Sequence, residues 1–472
     1  MSVPISRLTV INVGYTSSRD RRVLRSDMKK FVITLGLLLG VLIALHWCVR
    51  NEQSTSFDNA VAAMSDVSLP LVNLDIDLDG VNDAGYTGGK ITIIERVVDS
   101  VVRLDTLQSA CLLKVRGASA KKYDKKSYSL KLVSDKGDKI KVGVLGMRED
   151  NVWILDAMAS DPSRMRNRVC FDVWNEYSRL PYETAFAGRN GTEGKFVEVY
   201  VKGKYHGLYC LSDKINRKLL GLKNVKTDND PGDVLVRGVL YKGKDWTTAT
   251  TLGDYRDMRT DSVYSDGWQL CYPDDYPSEK SWQPLTNLIE TLGKDDATVT
   301  ATYQDWFYVD NLVDYWLLLE QFHILDMPYK NAYLSTVNVN DAHRFVITPW
   351  DLDASLGCSF DGTRFDSVSV LKFYEKFGPF RTLLGNNVDG INDKLEQRWN
   401  ELSVTVFAPS NVMKLMRGYA EQMDRSGAWQ RERARWNGNP VKLGETAASE
   451  LEYVEWWYGR NYEHMRTSFP YR

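Results

Sequence analysis

The stretch 310–357 decides the fold, and it reads DNLVDYWLLLEQFHILDMPYKNAYLS, then a polar interval, then RFVITPWDLDASLG. Apolar residues recur at Leu312, Tyr315 and Leu319 and again at Phe322, which is the period of a helix with one buried face. The first half of the stretch therefore predicts a core helix.

Two short strands follow this helix, and each presents acids or amides at one end. Residues 331–335 alternate like a strand, and they begin at Asn331, five residues after Asp326. After a turn-rich interval, residues 345–347 predict a second strand, which runs into Asp351 and Asp353. The predicted hairpin gathers these polar side chains.

This order of residues matches a phosphoryl-transfer site of the protein-kinase type. Such a site needs an Asp that orients the acceptor hydroxyl, an Asn five residues later for one metal ion, and an Asp on a following hairpin for the other. Asp326, Asn331 and either Asp351 or Asp353 supply that order. The neighbouring letters are not those of a kinase, since no His-Arg precedes Asp326. The alternative is a helix-capping Asp followed by a turn Asn.

Length and charge limit the choice of partners. A chain of 472 residues exceeds what one hydrophobic core usually serves, so two lobes or domains are expected. The 60 basic and 62 acidic residues give a net charge of −2. This balance gives no basis for a nucleic-acid partner.

An uncharged apolar run at 31–49 predicts a membrane segment. It follows Lys29-Lys30, it is long enough to span a bilayer, and its positive flank favours a cytoplasmic N-terminal end. Met28 followed by this run also resembles the start of a secretory signal, in which case residues 1–27 come from an upstream start codon. A buried soluble helix is the alternative. We expect the rest of the chain to lie outside the cytoplasmic membrane, either tethered or released.

The cysteines form neither a zinc pattern nor a disulfide framework, because none belongs to a Cys-x-x-Cys pair. Isolated core thiols are expected, with one or two disulfides as the alternative. They stand at Cys48, Cys111, Cys170, Cys210, Cys271 and Cys358.

Strand patterns dominate the first half of the chain and helical patterns the second. This order predicts an α+β fold with a strand-rich N-terminal lobe, a helical C-terminal lobe, and a cleft between them. The predicted parts are an N-terminal extension (1–30), a signal anchor or signal peptide (31–49), a linker (50–68), the strand-rich lobe (69–223), a connecting segment (224–280) and the helical lobe (281–472).

Basic residues in the strand-rich lobe are candidates for phosphate contact. Tyr128, Leu130 and Leu132 point to one side of a strand, so Lys131 points to the other. A lysine on the concave face of a small sheet suits a phosphate clamp, and a solvated strand face is the alternative. Arg166 lies at the arginine-rich start of a predicted helix. We expect these arginines to contact phosphate or carboxylates, and a solvated helix face is the alternative.

The ordered combination of motifs resembles the CotH kinase family, the spore-coat CotH-like proteins, over roughly residues 69–402. Its most specific piece is Pro-Trp-Asp-x-Asp-x3-Gly at 349–357. The other pieces, in order, are Arg116-Gly117, Lys125-Lys126-Ser127-Tyr128, Trp153 with Asp161, Arg166-Asn167, Val199-Tyr200-Val201, Gly207-Leu208-Tyr209, Tyr241-Lys242-Gly243, and Asp326 with Asn331.

The resemblance implies an atypical protein-kinase-like fold that binds ATP with Mg²⁺ or Mn²⁺ and phosphorylates Ser or Thr of secreted or surface proteins. It implies that Asp326 orients the acceptor, that Asn331 and Asp351 hold the metal, and that Asp353 is a supporting or alternative ligand. It implies Lys131, or alternatively Lys126, as the phosphate lysine. Around the nucleotide it implies Arg116, Lys126, Arg166, Lys242 and Asp213, the last where relatives carry Glu.

Two other functions remain open at the level of sequence. One is a non-catalytic surface or adhesion protein on a kinase-like scaffold, because ATP is scarce outside the membrane. The other is transfer of AMP instead of phosphate on the same scaffold. The absence of a convincing Ser-His-Asp or Cys-His set among the five histidines agrees with chemistry by positioning and charge neutralisation.

Overall fold

A computed structural model describes residues 56–182, 188–227, 234–256, 258–328, 330–341, 344–368 and 377–469. The chain forms two compact units, Met1–Ala62 and Ala63–Arg472. In the first unit the described part holds helix α1, Phe57–Ala62, inside the segment predicted as a linker.

The second unit mixes strands and helices, as the α+β prediction states. Its strands are β1 Leu71–Asp75, β2 Thr87–Val98, β3 Val102–Arg116, β4 Ser127–Val133, β5 Val152–Asp156, β6 Gly194–Val201, β7 Lys204–Asp213, β8 Lys226–Thr227, β9 Val234–Leu235, β10 Val239–Gly243, β11 Tyr264–Ser265, β12 Trp268–Tyr272, β13 Ala332–Thr336 and β14 Val346–Pro349. Its helices are α2 Arg166–Tyr177, α3 Glu279–Leu292, α4 Asp296–Trp306, α5 Val309–Phe322, α6 Gly378–Gly385, α7 Ile391–Ser403, α8 Pro409–Arg425, α9 Ala428–Trp436 and α10 Leu451–Ser468.

The first seven strands close into a barrel in the order β1-β2-β3-β4-β5-β7-β6. Closure occurs because β1 pairs antiparallel with β2 on one edge and parallel with β6 on the other. Alternate residues such as Leu130, Leu132 and Trp153 fill the barrel. The prediction of a small sheet with a concave face is therefore wrong, since the side of β4 opposite the barrel core is an outer barrel face.

A second sheet carries the predicted hairpin. Its order is β11-β12-β10-β13-β14, so β10 lies next to the hairpin strand β13. The segment 224–280, predicted only as a connector, thus supplies a strand to the sheet that bears the candidate acids.

The predicted core helix is α5, and it is buried all around instead of on one face. Two of its polar residues, Asn311 and Gln321, form buried hydrogen bonds to other elements. Asn311 donates to the carbonyl of Ile347 at 3.1 Å and accepts from the Ile347 amide at 2.7 Å. Trp399 donates to Gln321 at 2.9 Å. Helix α5 is therefore fastened by hydrogen bonds to β14, the strand that leads into the acids.

Two further sequence predictions concern the membrane and the thiols. Within the described residues, no helix is long and apolar enough to cross a bilayer, and the predicted segment 31–49 lies outside those residues. The five cysteines in the described part are all free, as expected for isolated thiols, and four of them are buried. Cys48 lies outside the described residues.

Candidate active site

The β13–β14 hairpin brings the two ends of the predicted constellation together. The strands are antiparallel with Ala332 opposite Pro349, so Asn331 and Trp350 lie side by side where the hairpin opens. Asp351 follows at the same edge. The hairpin predicted from sequence is confirmed.

Asp326 and Asn331 are in direct contact. The side-chain amide of Asn331 donates to a carboxylate oxygen of Asp326 at 2.8 Å, and Lys330 lies 3.1 Å from the same oxygen. Among the residues that the structure describes, none bonds to the other carboxylate oxygen, and the side chain is partly exposed.

Asn331 and Asp351 both have left-handed backbone conformations, with φ of 64° and 62°. Asn and Asp tolerate this region better than other residues with a Cβ, but it remains sparsely populated. Such residues concentrate at functional sites, where the surrounding structure holds them in place. Two of the three predicted metal ligands are therefore held in unusual conformations.

Four carboxylates crowd together at this edge. The pKa of Asp353 is raised well above its ordinary value by burial, and the charges of Asp351 and Asp156 raise it further. The Ser160 hydroxyl donates to Asp353 at 2.9 Å. Burial also raises the pKa of Asp351, with contributions from Asp156 and Asp326. Although its surroundings desolvate the carboxyl group, the residue as a whole keeps contact with solvent, and it lines a pocket.

Two cations, Arg116 and Lys242, contact the ring of Trp350 beside the acids. The Lys242 ammonium lies 5.1 Å from the Trp350 ring centroid and 5.5 Å from that of Tyr333, and the Arg116 guanidinium lies 5.1 Å from Trp350 on its own side. Burial, followed by the charge of Arg116, lowers the pKa of Lys242 to about 7, while Asp351 opposes this shift. Among the described residues, neither cation makes a side-chain hydrogen bond or an ion pair. Both are available to an anionic ligand.

One of the two cations, Arg116, shares a partly enclosed pocket with Asp156 and Asp351, and the cavity volume of this pocket is about 20 Å³. Arg116 and Asp156 from the barrel, Asn167 from α2, and Trp350 with Asp351 from the hairpin all line it. The pocket therefore joins groups from three separate parts of the chain.

Sequence reasoning missed Asp156 and Asn167. The Asn167 amide donates to Asp156 at 3.0 Å, and its oxygen accepts from the Leu352 amide at 3.0 Å. It thus ties the end of β5 to the loop that bears Asp351. The signal in the sequence was weak: Asp156 ends the apolar run 152–155, and Asn167 appears only as the neighbour of Arg166 in the Arg166-Asn167 motif.

A family model described as CotH kinase protein matches residues 113–465, which is most of the chain. The chain belongs to the CotH kinase family. The matched range contains the whole site, from Arg116 to Asp353. No curated protein matches the chain.

The phosphate lysine implied by the CotH resemblance, Lys131, lies away from the acids. Ser127 donates to Asp156 at 3.2 Å, and Lys131 stands four residues further along β4, about 13 Å by the rise of a strand. Its ammonium lies 4.1 Å from the Tyr86 ring centroid, and burial followed by the charge of Lys214 lowers its pKa.

The alternative Lys126 also has another partner. Its ammonium donates to the Lys121 carbonyl at 2.6 Å, in an exposed position. The structure does not bring Lys126 to the acids of this CotH site.

Arg166 and Asp213 are committed to internal ion pairs. Arg166 contacts Asp161 at 2.6 Å, with both side chains almost fully buried. Asp213 accepts from Arg148 at 2.8 Å and from Arg189 at 3.2 Å. These contacts indicate structural roles behind the pocket, because neither side chain has an open position for a ligand.

The donor set at the cleft fits a divalent metal such as Mg²⁺. Within the described residues, no three His, Cys, Asp or Glu side chains are arranged to hold a metal ion by themselves. Mg²⁺ at nucleotide sites takes one or two carboxylates together with phosphate oxygens. Asp351 and the amide oxygen of Asn331 supply hard oxygen donors. Burial, and then the charges of Asp156 and Asp326, raise the pKa of Asp351, and a bound cation would favour its ionised form.

Proposed function

We propose that this chain is an ATP-dependent protein kinase of the CotH type, acting outside the cytoplasm on Ser or Thr of secreted or surface proteins. The observation that supports the proposal is that Asp326, Asn331 and Asp351 lie near Arg116 and Lys242, two cations without an ion pair among the described residues. Phosphoryl transfer needs this combination, because its catalysis is mostly positioning and neutralisation of charge.

Each residue has a role that its contacts support. Asp326 orients the acceptor hydroxyl, since the Asn331 amide fixes one carboxylate oxygen and leaves the other available. Asn331 and Asp351 hold the metal, which neutralises phosphate charge when bound. Asp353 supports the loop through its hydrogen bond with Ser160.

In this proposal Lys242 and Arg116 contact the phosphates, and Lys131 does not. A cation that contacts transferring phosphate must lie near the metal ligands. Lys242 is close enough to Asp351 for each to shift the pKa of the other. After burial, the charges of Lys214 and Lys139 are the largest influences on the pKa of Lys131.

The proposal includes a kinase-like arrangement of two parts. The barrel supplies one side of the pocket through Arg116 and Asp156, and the hairpin sheet with its helices supplies the other. The proposal also includes the division of the chain into segments 1–30, 31–49, 50–68, 69–223, 224–280 and 281–472, and tethering or secretion through 31–49.

Transfer of labelled phosphate by the full chain tests the proposal. With Mg²⁺ or Mn²⁺ and γ-labelled ATP, we expect wild type to label a Ser/Thr protein, and Asp326→Asn to lose activity on the order of a hundredfold or more. Asp305→Asn, an exposed acid on α4, is the matched control and should retain activity. Equal labelling by wild type and Asp326→Asn would remove the role assigned to Asp326.

A parallel reaction with α-labelled ATP distinguishes phosphate from AMP transfer. Label from the α-position on the acceptor would show AMP transfer on this scaffold. If neither label is transferred and ATP does not bind, the chain is a non-catalytic surface protein.

A further inference from the structure

We propose that a row of lysines on the outer face of the barrel binds an acidic segment of the acceptor protein. The row, called here the lysine face, consists of Lys114, Lys131, Lys139, Lys141 and Lys214. This inference rests on the proposed function, because it names the acceptor class for the same site.

Strand register places these lysines on one side. In β3, Leu113 and Val115 fill the barrel, so Lys114 between them points outward. In β4, Leu130 and Leu132 do the same, so Lys131 points outward as well.

The remaining members of the lysine face adjoin this outer side. Lys139 pairs with Val133 at the end of β4, and Lys141 follows two residues later. Lys214 follows the last residue of β7 and is close enough to Lys131 to shift its pKa. Lys139, Lys141 and Lys214 are exposed.

The positive charges on this face outnumber the acids near them. Within the described part of the chain, none of the five lysines forms an ion pair. After burial, the charges of Lys214 and Lys139 lower the pKa of Lys131, while Asp274 raises it. Asp83, the acid near Lys114, is already paired with Lys121 at 2.6 Å. In a chain with a net charge of −2, this local excess of positive charge favours an anionic partner.

The lysine face is continuous with the candidate site, which favours a polypeptide acceptor over a separate anion. Lys214 and Lys242 both influence the pKa of Cys271, and Lys242 faces Asp351. Lys114 is two residues from Arg116 on the same side of β3. An extended peptide covers about 3.3 Å per residue, so about four residues span the length of β4 from Ser127, which contacts Asp156, to Lys131.

Direct binding tests the surface without depending on catalysis. The probe is a fluorescent serine peptide flanked by glutamates, and its anisotropy is measured with the full chain in the absence of nucleotide. We expect Lys139→Glu/Lys141→Glu to weaken binding by about tenfold or more, because it replaces attraction with repulsion. Lys394→Glu/Lys414→Glu, which changes the net charge equally on helices α7 and α8, should bind as wild type does.

Kinetics provide the second readout. In the double variant the KM for the acidic peptide should rise while the KM for ATP stays unchanged, since neither lysine belongs to the proposed nucleotide site. A peptide flanked by lysines that binds as tightly as the acidic one would overturn the proposal. So would binding of phosphatidylglycerol vesicles or single-stranded oligonucleotide without binding of the acidic peptide.

The two proposals fail separately. If the acidic peptide binds through the lysine face but receives no phosphate, the surface stands and the kinase proposal fails. If phosphate is transferred with no preference for acidic peptides, the kinase proposal stands and the lysine face does not select the acceptor.

Discussion

Asp351 lies in an unfavourable environment for a carboxylate. Burial and the charges of Asp156 and Asp326 raise its pKa, although Lys242 and Arg116 counteract the shift. A raised pKa means that folding disfavours the ionised form relative to the unfolded chain. The nucleotide-free protein therefore keeps this charge at a cost in stability, which a bound metal would relieve.

Asp351→Asn should therefore separate stability from activity. Asparagine tolerates the left-handed backbone and removes the charge. At pH 7 we expect the nucleotide-free variant to resist denaturant at least as well as wild type, and its phosphoryl transfer to be lost. Because the cost of the carboxylate exists only where it is ionised, the stability difference should shrink as the pH falls towards the ordinary Asp pKa.

Denaturation in guanidinium at pH 7 and at lower pH measures the effect, with Asp305→Asn as a control that should change neither property. A marked loss of stability in Asp351→Asn at pH 7 would show that Lys242 and Arg116 stabilise the carboxylate more than its surroundings disfavour it.

At the scale of elements, helix α9 is fastened to the barrel by a buried charge cluster. Glu432 contacts Lys125 at 2.6 Å and Arg164 at 3.0 Å, and it accepts from the Leu208 amide at 2.8 Å. All three charged side chains are fully buried. Removal of one partner from such a cluster leaves buried charges without compensation.

Glu432→Gln should accordingly destabilise the protein by about 3–5 kcal/mol, because two buried cations lose their counter-charge. Chemical denaturation measures this loss. Glu421→Gln is the control: Glu421 pairs with Arg425 on an exposed helix surface, and its loss should cost about 0.5 kcal/mol or less. Similar values for both variants would contradict the structural role of the cluster.

His206 makes the contact between helix α9 and the barrel sensitive to acid. Its ring stacks on Tyr209 and meets the edge of Trp436 from α9. Burial, then the charges of Lys125 and Arg435, lower the pKa of His206 to about 4, with Glu432 opposing. Stability from the neutral ring is complete above the ordinary His pKa of about 6.5 and is lost as the pH falls towards 4.

Between pH 7 and pH 5 this group should cost wild type about 2 kcal/mol of unfolding free energy, because the unfolded chain takes up the proton and the folded one does not. His206→Phe keeps an aromatic ring without titrating, so its stability should fall less over the same range. Denaturation curves of both proteins at the two pH values provide the measurement. Parallel losses in the two proteins would assign the acid sensitivity to other groups.

The helices and strands of this fold differ in how well sequence patterns predict them. Helix α5 and the β13–β14 hairpin are local, so their apolar periods and turn residues predicted them. Helix α9 was missed because its sequence AWQRERARW is dense in charge and one of its four buried positions is Glu432. That burial depends on Lys125, about three hundred residues earlier, which no local period reveals.

The candidate site was also predictable only in part from the sequence. Asp326, Asn331 and Asp351 lie within one local motif, and the structure brings them together. Whether Lys131 or Lys242 lies near the acids depends on barrel closure and on the pairing of β10 with β13. Alternation in a strand shows that Lys131 points away from the barrel core, but not which other residues that face meets.

At the scale of the whole molecule, the site is assembled from distant parts of the chain. Arg116 and Asp156 come from the barrel, Lys242 from β10, and Asp351 from the hairpin. The acids repel one another, Arg116 and Lys242 repel each other, and the two groups are close enough to shift each other's pKa values. A metal–nucleotide complex would satisfy both groups at once, so its binding should stabilise the entire second unit.

We therefore expect ATP with Mg²⁺, at a hundredfold excess over its dissociation constant, to raise the unfolding free energy by about 2.7 kcal/mol. Thermal or chemical denaturation of the full chain with and without ATP measures this, and EDTA should abolish most of it. Lys242→Met should lose the effect because an unpaired cation at the site is gone, whereas Lys204→Met, an exposed lysine at the start of β7, should keep it. A protein that ATP and metal leave unchanged in stability would have to be a non-catalytic member of the CotH kinase family, since a kinase cannot transfer a phosphate that it does not bind.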